Sequence, residues 1–209
     1  LLFFLSLSGS IYYHYFVTFA NQNQKGMWRD LFVTVAQLIV ASPRAWKELK
    51  KEEKTESDFH SNFLHPLFGI IALATFIGGL WFARDGDLES ALKSTIITVV
   101  AVYGGYFIAS YVMNEMAPRF GLEKDLPRFQ QLIGYASVVL YAIFVIIPFL
   151  SDFFILWILA LYTLHLVFVG AKNFIRVPEK VRFNFTLLAS ALILFMPLLI
   201  KAVFSLIIK

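Results

Sequence analysis

The run IITVVAVYGGYFI (Ile96–Ile108) carries no charged side chain, and neither does YASVVLYAIFVIIPFL (Tyr135–Leu150). A membrane-crossing β-strand alternates apolar and polar residues over about ten positions, and neither run alternates. An α-helix satisfies its own backbone N–H and C=O groups, as hydrocarbon demands, so both runs are read as spanning helices. Working outward, they widen to about 92–113 and 130–150, and three comparable stretches flank them at about 62–83, 153–171 and 184–208. Each is close to the roughly 20 residues a helix needs to cross a bilayer core.

The composition agrees. Hydrophobic residues make up 59% and charged residues 15% of the 209, with mean hydropathy +0.72. A water-soluble domain of this size would leave too much apolar surface wet. The fold expected is all-α, a polytopic bundle of five spans preceded by an amphipathic interfacial helix. Its organisation reads as a leading segment 1–26, a basic helical segment 27–60 and the bundle 61–209. The chain has no cysteine, which excludes disulfides, thiolate metal sites and thiol nucleophiles.

The net charge is +4, and the placement of the cations says more than their sum. Fourteen of the 18 Lys and Arg fall in 25–60, 114–129 and 172–183, segments that alternate spans would place on one side. The positive-inside rule puts that side, including 27–60, in the cytoplasm and the C-terminus outside. The basic balance is a topology signal, and no nucleic-acid partner is expected.

Leu1–Ala20 is apolar and uncharged, followed by Asn21-Gln22-Asn23-Gln24-Lys25-Gly26. It reads as a sixth span, a signal-anchor or sequence upstream of the true start at Met27, the last being the preferred expectation. From Trp28, the residues Leu31, Phe32, Val35, Leu38 and Ile39 recur at helical spacing and make one apolar face. Ser42-Pro43 reads as an N-cap with Pro at the first helical position. The basic helix that follows carries Trp46 and Leu49 on its apolar side. Such a helix lies in the headgroup plane, packs under the bundle, or does both. Trp28, Trp46, Lys47, Lys50 and Lys51 are the expected membrane-surface contacts, with anionic headgroups drawn to the cations at roughly 1 kcal/mol each.

Within the spans, Ala101, Gly105 and Ala109 form a small-residue stripe for close helix packing. Pro148 and Pro197 are expected to kink or end their helices. Spans three and four, joined by Ser151-Asp152, must be an antiparallel hairpin. The polar intramembrane candidates are His65, Tyr103, Ser137 and His165.

Catalytic patterns are weak. His60 and His65 are five apart and lack the spacing and adjacent Glu of a metalloprotease pair. A Ser137–His165 pair lacks a Gly-rich nucleophile turn, and a histidine hydrogen-bonded between helices is the favoured reading. Glu52-Glu53 is a solvated helix end. No cofactor or metal is expected, and no enzyme.

Ser42-Pro43-Arg44-Ala45-Trp46-Lys47-Glu48-Leu49 stands before a span opening Leu64-His65-Pro66-Leu67. Further on come Tyr135-Ala136, Pro148 and Gly170-Ala171-Lys172. Together these resemble bacterial members of the Yip1 family over about 28–208. The resemblance implies a non-enzymatic five-span protein of the bacterial cytoplasmic membrane, with a membrane-organising or partner-binding role. Eukaryotic relatives associate with Rab-type GTPases through a longer N-terminal region; the short basic segment here does not carry that over. The expected partners are the bilayer, anionic headgroups, and a homo-oligomer or another membrane protein. An oligomeric small-solute or lipid permease is the alternative.

Overall fold

The computed structural model of the chain describes residues 26–81, 87–150 and 155–207, and among them every regular element is a helix. Helix α1 covers 26–40 and α2 covers Ser42–Glu52. Next, α3 (Glu56–Phe59) passes through a π-turn (His60–Leu64) into α4 (His65–Trp81). Helix α5 is Leu88–Met116, closed by a 3₁₀ turn at Ala117–Phe120. Then come α6 (Leu126–Ala136), α7 (Val138–Ile146), α8 (Ile155–Ala160) and α9 (Tyr162–Gly170). A second π-turn (Ala171–Ile175) precedes α10 (Glu179–Ile207). The leading segment 1–25 and the Ser151-Asp152 turn lie outside the described residues.

Among the described residues, four continuous helical stretches are long and apolar enough to cross a bilayer: Glu56–Trp81, Leu88–Phe120, Ile158–Ile175 and Glu179–Ile207. The pair α6–α7 makes a fifth if counted as one span, but it is bent by 47°. That break corrects the expectation of an uninterrupted helix over 130–150. It falls at Ser137, whose hydroxyl donates to the Ile133 carbonyl at 2.7 Å. A serine that bonds back to the carbonyl four residues earlier competes with the helical ladder and bends it.

The first span also starts earlier than its apolar run suggests, because the helix continues from Glu56 straight through Pro66. A proline inside a helix collides with the carbonyl four residues back, here that of Asn62. The wider π-turn lies at that point, and the His65 N–H reaches back to the His60 carbonyl. Pro148 falls just beyond the end of α7, whereas α10 runs on through Pro197.

Helix α5 is the central post, packed on α4, α6 and α10. Contacts between helices in lipid rest on close packing rather than on a hydrophobic drive, and glycines provide it here. A Cβ on Gly105 would lie 2.5 Å from Cγ of Pro197, so the proline ring of α10 occupies the notch of α5. Gly78 of α4 receives Pro148 in the same manner, and Gly134 receives the ring of Phe59. Ala101 and Ala109 are fully buried on either side of Gly105.

Candidate functional site: the basic end of the bundle

Helix α2 is held to the bundle by its apolar side. Ala45, Trp46 and Leu49 are buried, while Arg44, Lys47 and Lys51 point outward and Lys50 is half-buried. The Trp46 indole stands edge-on to Tyr135 at 6.1 Å and lies 5.5 Å from Phe174, with no exposed surface. It passes over Gly170, where a Cβ would come within 2.9 Å of the ring. Trp46 is thus corrected from a membrane-surface contact to the key that locks α2 against α6 and α9. Ser42 is corrected as well: it is the first residue of α2, with Ala41 in the N-cap position and no side-chain cap. Trp28 is half-buried on α1.

Both π-turns serve this junction. The turn at His60–Leu64 brings Phe63 to within 4.6 Å of the Tyr135 ring, beside Phe59 at 5.0 Å. The turn at Ala171–Ile175 brings Phe174 under Trp46. This aromatic knot was not foreseen in the sequence. Its only signals are Gly134 and Gly170, glycines inside helices that make room for a ring.

Beside the knot opens a cleft of about 280 Å3 lined by Lys50, Glu53, Lys54, Asp125, Arg128, Gln131 and Phe174. Arg128 donates from Nη2 to the Phe174 carbonyl at 3.1 Å and lies over that ring at 5.9 Å. Gln131 donates from Nε2 to the Lys54 carbonyl at 2.8 Å, and Lys54 pairs with Glu52 at 2.9 Å. Asp125 accepts the Arg128 N–H as the cap of α6. Lys50 is different. Partial burial, then the nearby charges of Arg176 and Arg128, hold its ammonium below the ordinary lysine range. None of the ion pairs among the described residues includes Lys50, Arg128 or Arg176.

Arg176 adds a backbone signal. It has φ +64°, the left-handed conformation that ends the π-turn, and the Val177 N–H closes onto the Ala171 carbonyl at 2.8 Å. Glycine is the residue that takes this position without cost. An arginine there costs roughly 1 kcal/mol or more, and it adds a third cation to the cluster.

The polar intramembrane candidates separate into two kinds. His65 is exposed and stacks on His60 at 5.8 Å and near Tyr103 at 6.1 Å. His60 Nε2 meets the Tyr106 hydroxyl at 3.1 Å, tying α5 to the π-turn. Tyr103 is half-buried against Phe68 at 4.4 Å. Ser137 and His165 form no pair: the serine hydroxyl is spent on Ile133, and the imidazole is exposed, 5.1 Å from the Tyr162 ring. The interhelical histidine foreseen at 165 is therefore found at His60 instead. Among the described residues no three His, Asp or Glu are grouped to hold a metal ion.

With four, or counting the bent pair five, bilayer-length apolar helices among the described residues, the chain is a multi-pass membrane protein. The Yip1 domain model matches residues 36–200, from the second half of α1 to the last third of α10. The chain belongs to the Yip1 domain family. No curated protein and no solved structure gives a significant match.

Proposed function

We propose that this Yip1-domain protein is a non-catalytic organiser of a bacterial cytoplasmic membrane, which gathers anionic headgroups and membrane partners at its basic end. In this reading α2 faces the cytosol and the end of α10 faces outward, as the cation distribution favours. The observation that carries the proposal is the cluster of Lys50, Arg128 and Arg176. Three separate elements hold them so that Arg128 and Arg176 repel the Lys50 ammonium. Among the described residues no carboxylate forms an ion pair with any of the three, although Glu53 and Asp125 line the same cleft. Phosphate oxygens of anionic lipids would relieve that repulsion.

The protein purified in mild detergent should retain phosphatidylglycerol over phosphatidylcholine, and Lys50→Gln with Arg128→Gln should bring the two toward parity. Equal retention by the unaltered chain would overturn the proposal. Sidedness is checked separately in cells. Lys51→Cys should react with an impermeant maleimide only after permeabilisation, and Asp87→Cys in intact cells; the reverse pattern would invert the orientation.

Arg176→Gly distinguishes charge from backbone. It should raise the unfolding midpoint, with a gain of about 1 kcal/mol from relief of the left-handed backbone, while lowering phosphatidylglycerol retention. A variant no more stable than the parent would show that Arg176 is not strained.

The permease alternative requires a polar cavity between spans. The cavity at the Ser137 break, lined by Gly105, Tyr106, Ser137, Tyr141, Ile193 and Pro197, measures about 10 Å3. That is room for about one water. Solute flux through reconstituted vesicles would be needed to revive this reading.

A further inference from the structure

We propose that α1 and α2 form a re-entrant hairpin whose tip, Ile39–Ala41, sits among the acyl chains of a single leaflet. Three observations converge on it. The first is depth. The Tyr162 hydroxyl donates to the Ile39 carbonyl at 2.8 Å. Tyr162 precedes Lys172, the first cation toward the basic end of its span, by ten residues. At 1.5 Å per residue that is about 15 Å along the axis, half of the roughly 30 Å hydrocarbon core. Both feet of the hairpin stand at the polar end. Met27 and Asp30 share a cleft with Asp58 and Asn62, and the Lys54 carbonyl is held by Gln131.

The second observation is backbone satisfaction. Lipid tolerates a turn only where every N–H and C=O has a partner. The two helices meet around one non-helical residue, Ala41. Its N–H goes to the Gln37 carbonyl at 2.8 Å, and its carbonyl accepts from Arg44 and Ala45 at 3.0 Å. The Ile39 carbonyl would ordinarily accept from the residue four positions on, but that residue is Pro43, which has no N–H. Tyr162 supplies the missing donor from the neighbouring span. A turn in water would not need it.

The third is the surface. Leu31 and Leu38 face the bundle, while Phe32, Val33, Ile39 and Val40 face away from it, Val40 being 86% exposed. The charged residues nearest the tip are arranged to tolerate lipid. Arg44 pairs with Glu48 at 2.8 Å, and its long stem can carry the guanidinium toward the headgroups. The occupant of this face is therefore hydrocarbon, a deeper placement than an amphipathic helix lying flat in the headgroup plane.

The proposal rests on the lipid-contact part of the functional reading and does not use its sidedness, so it survives an inverted orientation. Because the chain has no cysteine, Val40→Cys creates a unique thiol at a position that is 86% exposed. The full chain carrying a fluorophore there is reconstituted in phosphatidylcholine–phosphatidylglycerol vesicles with iodide on both sides. Mid-chain brominated lipids should quench the Val40 label several-fold more than iodide does, and the order should reverse at Lys51→Cys. Iodide reaching Val40 as readily as Lys51 overturns the proposal. So does a Val40 label shielded from both quenchers, which would mean that protein, a second copy included, covers the tip. Adding Tyr162→Phe should raise iodide quenching at Val40; an unchanged depth removes Tyr162 as the anchor.

Discussion

Replacing Gly105 with leucine should unseat α10 from α5 and cost the bundle a large part of its stability. Even the first added carbon would lie 2.5 Å from Cγ and 2.8 Å from the backbone N of Pro197. Carbon atoms pack best at roughly 3.5–4.0 Å, and neither a proline ring nor a backbone nitrogen can swing aside. The two helices must separate along their whole contact, at a cost of about 3 kcal/mol. Helices in lipid have only that contact to hold them. Unfolding in mixed detergent–SDS micelles measures it. Gly69→Leu is the control, because nothing lies within 4 Å of its Cβ position; it should leave the midpoint unchanged. Gly105→Ala with Pro197→Ala should recover part of the loss of Gly105→Ala alone. If Gly105→Leu resisted SDS as well as the parent, the packing described for α5 and α10 would be wrong.

Trp46→Ala should be at least as damaging, though in a different place. Deleting a fully buried indole costs about 3–5 kcal/mol. Trp46 is the largest side chain holding α2 to the bundle, so the damage should appear first as release of α2 rather than as collapse of the spans. Trypsin reports it directly, through faster cleavage after Lys47, Lys50 and Lys51. Trp46→Phe should keep much of the protection. Gly170→Ala approaches the same joint from the other side, placing a methyl 2.9 Å from the indole, and should loosen α2 similarly. Cleavage of Trp46→Ala at the parental rate would show that α2 does not depend on this residue.

These two residues also show what the sequence could and could not disclose. The spans were legible because hydrocarbon imposes a minimum length of uninterrupted apolar residues, and their ends because cations mark them. The bend at Ser137 left no such trace. The apolar run continues across it, and a hydroxyl bonding back to Ile133 is no signature by itself, since Ser110 makes the same bond to Tyr106 inside unbroken α5. Trp46 was misread for a related reason. A tryptophan on a basic amphipathic helix fits a headgroup interface as well as a protein groove, and what decides between them is Gly170, far along the chain. The cation cluster was half visible. Lys50 was named only together with Lys47 and Lys51 as a surface cation, and Arg128 and Arg176 join it only through the folding of α6 and the second π-turn. The left-handed backbone of Arg176 has no signature in an arginine.

The pairing of glycine notches with prolines has a consequence for biosynthesis. Gly78 and Gly105 lie in α4 and α5, whereas the rings that fill them, Pro148 and Pro197, come later in the chain and are made after them. During synthesis the early helices therefore stand in the bilayer with open grooves, lined for a neighbour that the ribosome has yet to deliver. A nascent chain arrested before Pro197 would be threaded through the membrane yet still unlatched, its α5 groove open to whatever apolar helix arrived first. Completion of α10 is then the step that closes the α5 groove.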